Sequence, residues 1–244
     1  MSKEQPAAGR AGHESDERRR RTAATVAAVL VVLAAVTAIS LSVQSAPDTT
    51  GQEVADPRGA LNGYSLPIGN VEAPVRVTVY EDFLRPSCAR FDGTSRGMLR
   101  AYAAAGDVSV RYHVVSAPDR ASGSGYSTRA ANALAVVLDN AGTEVAVVFH
   151  DLLHDNQPAQ SGPRPADQRL IDLAVRAGAD RQEVTEPIRS RRFEPWVVNS
   201  TEAWSTAGFE RTPTVTVNGE PVRYRSVDEL VRGTRAAVDA ALAE

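Results

Sequence analysis

Tyr80-Glu81-Asp82-Phe83-Leu84-Arg85-Pro86-Ser87-Cys88-Ala89-Arg90-Phe91 is the stretch on which the reading of the fold turns. Just before it, Val75-Arg76-Val77-Thr78-Val79-Tyr80 alternates apolar and polar residues, as a half-buried strand does. After Pro86 the spacing changes. Phe91, Met98, Leu99 and Tyr102 fall at helical intervals until Gly106, a stop signal. Pro86 suits a helix start because its missing N–H would have no partner there anyway. Val108 to Val115 (VSVRYHVV) is a second strand. Strand, helix and strand of these lengths predict two parallel strands joined by a right-handed crossover.

Outward from this unit, residues 125–208 hold no convincing strand. Helices are predicted over Tyr126–Asn140, Thr143–His154, Ala166–Ala177, Asp180–Arg189 and Glu194–Ala207, with a Pro-rich break at Gln157–Pro165. Strands return with Thr214–Val217, the turn pair Asn218-Gly219, and a return strand over Val222–Arg225. Ser226 then caps an amphipathic helix over Val227–Leu242. The order is that of an α/β thioredoxin-like sheet interrupted by helices, with the domain placed at 67–244 and its helical insertion at about 123–208.

The N-terminal part has another character. Residues 1–21 are polar and charged, end in Arg18-Arg19-Arg20-Arg21, and read as a disordered cytoplasmic tail. Thr22 to Val43 is an uncharged run of 22 residues. As a helix it would span roughly 33 Å, against a bilayer core of about 30 Å. The Arg cluster would hold its leading end in the cytoplasm. A cleaved signal peptide is the competing reading, with Val43-Gln44-Ser45 as a poor cleavage site; a buried core helix is a third. On the anchor reading, residues 44–66 are a linker and the domain is extracytoplasmic in a single-pass protein of the cell membrane, with the bilayer as its partner through 22–43.

Composition bounds the chemistry. The chain has 244 residues and a formal net charge of −3, which argues against a general nucleic-acid binder. Its one cysteine, Cys88, excludes an intramolecular disulfide and Cys-rich metal sites. No Gly-x-Ser-x-Gly or Walker-type phosphate loop occurs, and no cofactor is implied.

Three stretches together resemble the DsbA-like branch of the thioredoxin superfamily, in the membrane-anchored form common in actinobacteria. The first is Ile68-Gly69-Asn70 through Ala73-Pro74-Val75. The second is the Tyr80–Phe91 stretch, similar to the family's strand, Cys-Pro-x-Cys and helix junction. The third is Arg211-Thr212-Pro213-Thr214-Val215, similar to its cis-proline loop. The resemblance implies thiol–disulfide oxidoreduction, in which the first Cys of the motif is an exposed thiolate stabilised by the helix end. The second Cys resolves the mixed disulfide. It also implies a groove along Thr212 and Pro213 where extracytoplasmic peptide or protein clients pair by strand addition.

In this sequence Arg85 stands at the first Cys position and Cys88 at the second, with Pro86 and Ser87 between them. The expectation is therefore a family member without the dithiol cycle that keeps the groove. Cys88 has two readings: a small buried core residue, or a monothiol catalytic residue activated by Arg85 and the helix end. A purely structural membrane partner is a third class of function. Pro213 is either an ordinary trans proline before a strand or, as the resemblance implies, cis.

The remaining candidates read more plainly. His150 and His154 are four apart on a helix, a spacing that can seat a metal. With no further ligand evident, they are taken as a solvated helix end and no metal is assigned. Glu81 and Asp82 are expected to pair locally with Arg85 or Arg90. Trp196 and Trp204, eight apart, share one helical face with Ser200 as core or groove wall.

Overall fold

The structure, a computed structural model, describes residues 55–117, 125–159 and 162–244. The tail 1–21, the apolar run 22–43 and the first part of the expected linker lie outside the described residues.

Five strands form one sheet in the order β1-β3-β2-β4-β5. Here β1 is Ser65–Ile68, β2 Val75–Glu81, β3 Val108–Val114, β4 Thr214–Val217 and β5 Glu220–Pro221. β2 and β3 run parallel from Val75↔Val108 to Glu81↔Val114, and the other pairs are antiparallel. The connection between β2 and β3 is α1, Pro86–Ala105. Cys88, Phe91, Asp92, Ser95, Leu99 and Ala103 recur every three or four residues along it and form its buried face. Gly106 ends α1 in the left-handed conformation (φ 96°), which costs glycine little.

Among the described residues, four helices lie between β3 and β4: α2 (Tyr126–Asp155), α3 (Asp167–Ala177), α4 (Arg181–Arg189) and α5 (Glu194–Thr206). α2 contains a break at Gly142, whose φ of 81° and ψ of 176° are not helical. The two helices predicted for this stretch are thus its two arms. By length and composition α2 could cross a bilayer, but Ala130 to Leu138, Phe149 and Leu153 are buried inside the domain. The last helix, α6 (Val227–Leu242), starts at Ser226, whose hydroxyl accepts the Glu229 N–H as predicted.

Two boundaries differ from the sequence reading. β1 begins at Ser65, inside the expected linker, and pairs with β3 from Ser65↔His113 to Ile68↔Val110. Arg58, further upstream, is also tied to the domain, since its N–H reaches Asp139 Oδ1 at 2.9 Å. At the other end, Asn218 and Gly219 both have positive φ (49° and 93°), as a tight hairpin turn requires. The return strand, however, is Glu220–Pro221 and not Val222–Arg225. Tyr224 leaves the sheet because its hydroxyl donates to the Pro213 carbonyl, and Arg211 stacks over its ring at 4.4 Å.

β3 is buried along its whole length, including Arg111 and His113. α5 covers part of one face, where His113 Nε2 lies 3.1 Å from the Ser200 carbonyl and 3.0 Å from its hydroxyl. Ser200 donates that hydroxyl to the Val114 carbonyl at 2.7 Å. A carbonyl only accepts, so His113 carries its proton on Nε2. Trp196, Ser200 and Trp204 are all buried on α5, which places the two tryptophans in the core.

Candidate functional site

The site forms where β2 ends and α1 begins. Glu81 closes β2, Asp82 to Leu84 make the turn, and Arg85 is the residue that caps α1 without a side-chain cap bond. Asp82 holds the turn by accepting the Leu84 N–H at 2.7 Å and the Ser127 hydroxyl of α2 at 2.8 Å. From α2's C-terminal side, the Gln157 amide donates to the carbonyls of Phe83 (3.0 Å) and Arg85 (3.1 Å).

Arg85, Pro86, Ser87 and Cys88 start the helix as the sequence predicts, with Pro86 in the first turn. The Arg85 Nε is buried and makes no hydrogen bond among the described residues. Cys88 is fully buried, and its sulfur accepts the Asp82 N–H at 3.5 Å. Burial pushes its thiol well above the ordinary range, and the nearby carboxylates of Glu81 and Asp82 add to the rise. The Asp82 N–H and the Thr212 hydroxyl offset only part of this. The environment therefore favours the neutral thiol.

The Thr212–Pro213 bond is cis, as the resemblance implies. Ser87 joins this loop to α1 by donating its hydroxyl to the Thr212 carbonyl at 3.2 Å. This bond brings the helix start, Arg85 to Ser87, together with the Thr212–Pro213 loop. Beside the loop lies a cleft of about 570 Å³ whose lining includes Phe209, Arg211, Thr214 and Tyr224.

The acidic pair at the end of β2 departs from expectation. Glu81 is fully buried and bonds neither Arg85 nor Arg90. Its Oε1 lies 2.5 Å from His150 Nε2 and its Oε2 lies 3.2 Å from His154 Nε2. Arg90 instead meets Asp228 at 2.9 Å, with both side chains exposed. His150 and His154, expected on a solvated helix end, are buried between Phe83, Tyr112 and Glu81. The helix on which they sit packs its second arm under the turn, so residues placed at its C-terminal end are interior. Burial alone would raise the Glu81 carboxyl, but the charge and hydrogen bonds of the two imidazoles hold it down at about 2. Burial likewise opposes the His150 cation, yet Glu81 and Asp151 hold it up at about 10. The sequence signal for this cluster was the i, i+4 histidine pair. Its third member was visible only as the acid that ends a strand 69 residues away.

The described site offers one thiol, shielded from solvent.

A thioredoxin family model, described simply as thioredoxin, matches residues 61–234. Among solved structures, the chain is similar to the reduced form of the disulfide bond oxidoreductase DsbG from Mycobacterium tuberculosis. The two are 30% identical with a TM-score of 0.62, over 75% of this chain and 95% of that one. It is also similar to reduced DsbA from M. tuberculosis, at 27% identity and a TM-score of 0.59, over 72% of this chain and 98% of that one. BdbD from Bacillus subtilis, at 21% identity and a TM-score of 0.61 over 77% of this chain and 99% of that one, shares the fold. No curated protein matches. The family match and the likeness to DsbG agree with the strand–helix junction, the cis proline and the helical insertion: the chain belongs to the thioredoxin family and has the fold of its DsbA-like thiol–disulfide oxidoreductases.

Proposed function

We propose that this protein is a membrane-anchored, extracytoplasmic member of the DsbA-like family that binds peptide clients without a dithiol redox cycle. Arg85 takes the place of the family's nucleophilic Cys, and residues 22–43 are the anchor. The observation that carries the reading is the pair Arg85 and Cys88. The first position of the motif holds a guanidinium, and the chain's single thiol is fully buried. Dithiol exchange needs two sulfurs in the same chain, one of them an accessible thiolate. The cis Thr212–Pro213 loop supports the groove, and Phe209 and Tyr224 in the adjoining cleft give it apolar wall. The Thr212 carbonyl already accepts Ser87, so an added strand would share that oxygen's second lone pair.

The test pairs two measurements on the purified full chain in detergent. Insulin reduction and oxidation of a dithiol peptide should stay at the uncatalysed rate. An unfolded model peptide without cysteine should bind saturably, equally well to wild type and Cys88→Ser. Catalytic turnover abolished by Cys88→Ser would overturn the reading in favour of a monothiol enzyme. Absence of saturable binding would remove the groove from it.

A further inference from the structure

Glu81, His150 and His154 are three metal-ligand side chains, all buried, whose ligand atoms lie within 4.8 Å of one another. None has a part in the proposed client binding. Glu81 ends β2, while His150 and His154 sit one turn apart on the second arm of α2, so all three project from regular elements. The two Nε2 atoms converge on the two oxygens of one carboxylate.

Each Nε2 faces the carboxylate, so loss of the hydrogen held between them leaves lone pairs that converge on one point. The opposite ring nitrogens stay outside the donor set: His150 Nδ1 faces Asp151 Oδ1 at 3.5 Å, a carboxylate placed as metal-bound histidines commonly have one, and His154 Nδ1 has no partner among the described residues. Asp92 and Asp151 also lie close to His150, and both are paired with arginines at the edge of the site, Asp92 with Arg96 and Asp151 with Arg96 and Arg100. Two imidazoles and a carboxylate, with the histidines at i and i+4, are a donor set that zinc-type cations take at about 2.0–2.2 Å. Tetrahedral bonds of that length put ligand atoms about 3.3 Å apart. With Oε2 as the carboxylate ligand, its 3.2 Å separation from His154 Nε2 already fits, and His150 Nε2, which lies 2.5 Å from the other oxygen, must leave Oε1 and share Oε2 within the 4.8 Å cluster.

We propose that Glu81, His150 and His154 form a divalent metal site of the zinc type that ties the end of β2 to the helical insertion beneath Cys88. Binding replaces the hydrogens held between the imidazoles and the carboxylate, and it leaves one corner of the tetrahedron outside this set.

The test uses the full chain in detergent, stripped with chelator, and zinc alone as the probe. Wild type should retain one zinc per chain after gel filtration and melt several degrees higher with zinc than without. Cobalt in place of zinc should give visible bands of nitrogen and oxygen ligation with no thiolate charge-transfer band. His154→Gln and His154→Phe should each weaken retention by at least about 100-fold, more than loss of a supporting hydrogen bond costs. Phe keeps the contact with Phe83, so a cooperative melt of that variant in chelator shows that it is folded. Cys88→Ser should retain zinc as wild type does. Failure of folded wild type to retain zinc would overturn the proposal. Equal retention by both His154 variants, or loss of zinc in Cys88→Ser, would do the same.

Discussion

The hydroxyl of Ser87, in the first turn of α1, donates to the carbonyl of Thr212 across 125 residues of sequence at 3.2 Å. It is a direct hydrogen bond between the helix start and the cis-proline loop, so this side chain helps to position the two halves of the motif. Ser87→Ala should cost about 1 kcal/mol, the usual net value of one such bond. Denaturant unfolding checks this through a shift of the midpoint at constant slope. Client peptide affinity should change with it if the loop supplies the groove.

Cys88 should be nearly inert in the folded chain. Its thiol is buried, and burial together with Glu81 and Asp82 holds it in the neutral form. At pH 8 its alkylation by iodoacetamide should be at least about 100-fold slower than that of a free thiol, whose pKa is about 8.5. It should reach the free rate once denaturant unfolds the chain. Fast labelling of native protein would contradict the buried position.

Arg85→Cys tests whether the scaffold still brings the two motif positions together. Residues 85 and 88 face each other across the first turn of α1, where the Cys88 N–H meets the Arg85 carbonyl at 2.9 Å. Mild oxidant should join the two sulfurs, since a disulfide tolerates Cα separations of about 4.4–6.8 Å. Thiol counting before and after oxidation reads the outcome. Two free thiols remaining in folded, oxidant-treated protein would contradict the placement.

His113 makes stability depend on pH. Burial lowers its pKa from 6.5 to about 4, against the weaker pull of the Ser200 carbonyl. A depressed folded pKa means that the unfolded chain binds the proton first. The contribution is therefore full above about pH 6.5 and is lost as pH falls toward 4. Between pH 7 and pH 5 the loss is roughly 2 kcal/mol. Urea midpoints for wild type and His113→Gln at both pH values isolate it, and the variant should show the smaller fall.

Two glycines should respond to alanine with opposite signs. Gly142 breaks α2 at φ 81° and ψ 176°, a region open essentially only to glycine, and a Cβ there would meet nothing within 4 Å. The cost of Gly142→Ala is then backbone strain, of order 1–3 kcal/mol. Gly97 lies inside α1 with equally open space and no positive φ. Gly97→Ala should stabilise by roughly 0.5–1 kcal/mol. Thermal melts of the two variants give both signs.

Local signals made most of this fold legible. The alternation of Val75–Tyr80, the stop at Gly106, the Asn218-Gly219 turn and the Ser226 cap act within a few residues of themselves, and the structure has each in place. What failed depended on distant partners. Ser65 and Leu66 fall in the expected linker and Pro67 and Ile68 only open the domain, yet Ser65–Ile68 pairs as an edge strand because β3 presents an open edge to it. Val222–Arg225 reads as a strand, but Tyr224 is drawn off by the Pro213 carbonyl and Arg211. Glu81 could not be joined to His150 and His154 from spacing, because the packing of the insertion under the turn is what makes the contact.

Gln157 carries that packing one step further. One amide just past the end of α2, within the insertion, holds the Phe83 and Arg85 carbonyls, the two oxygens that flank the entry to α1. The insertion is therefore not a detachable module. A shortened chain that rejoins β3 to β4 directly would take this donor from the Phe83 oxygen, leave the Arg85 oxygen to the backbone N–H groups of Cys88 and Ala89, and expose the turn whose shape sets residues 85 to 88. Grafting the motif onto a minimal thioredoxin scaffold would copy its residues and lose the clasp that orients them.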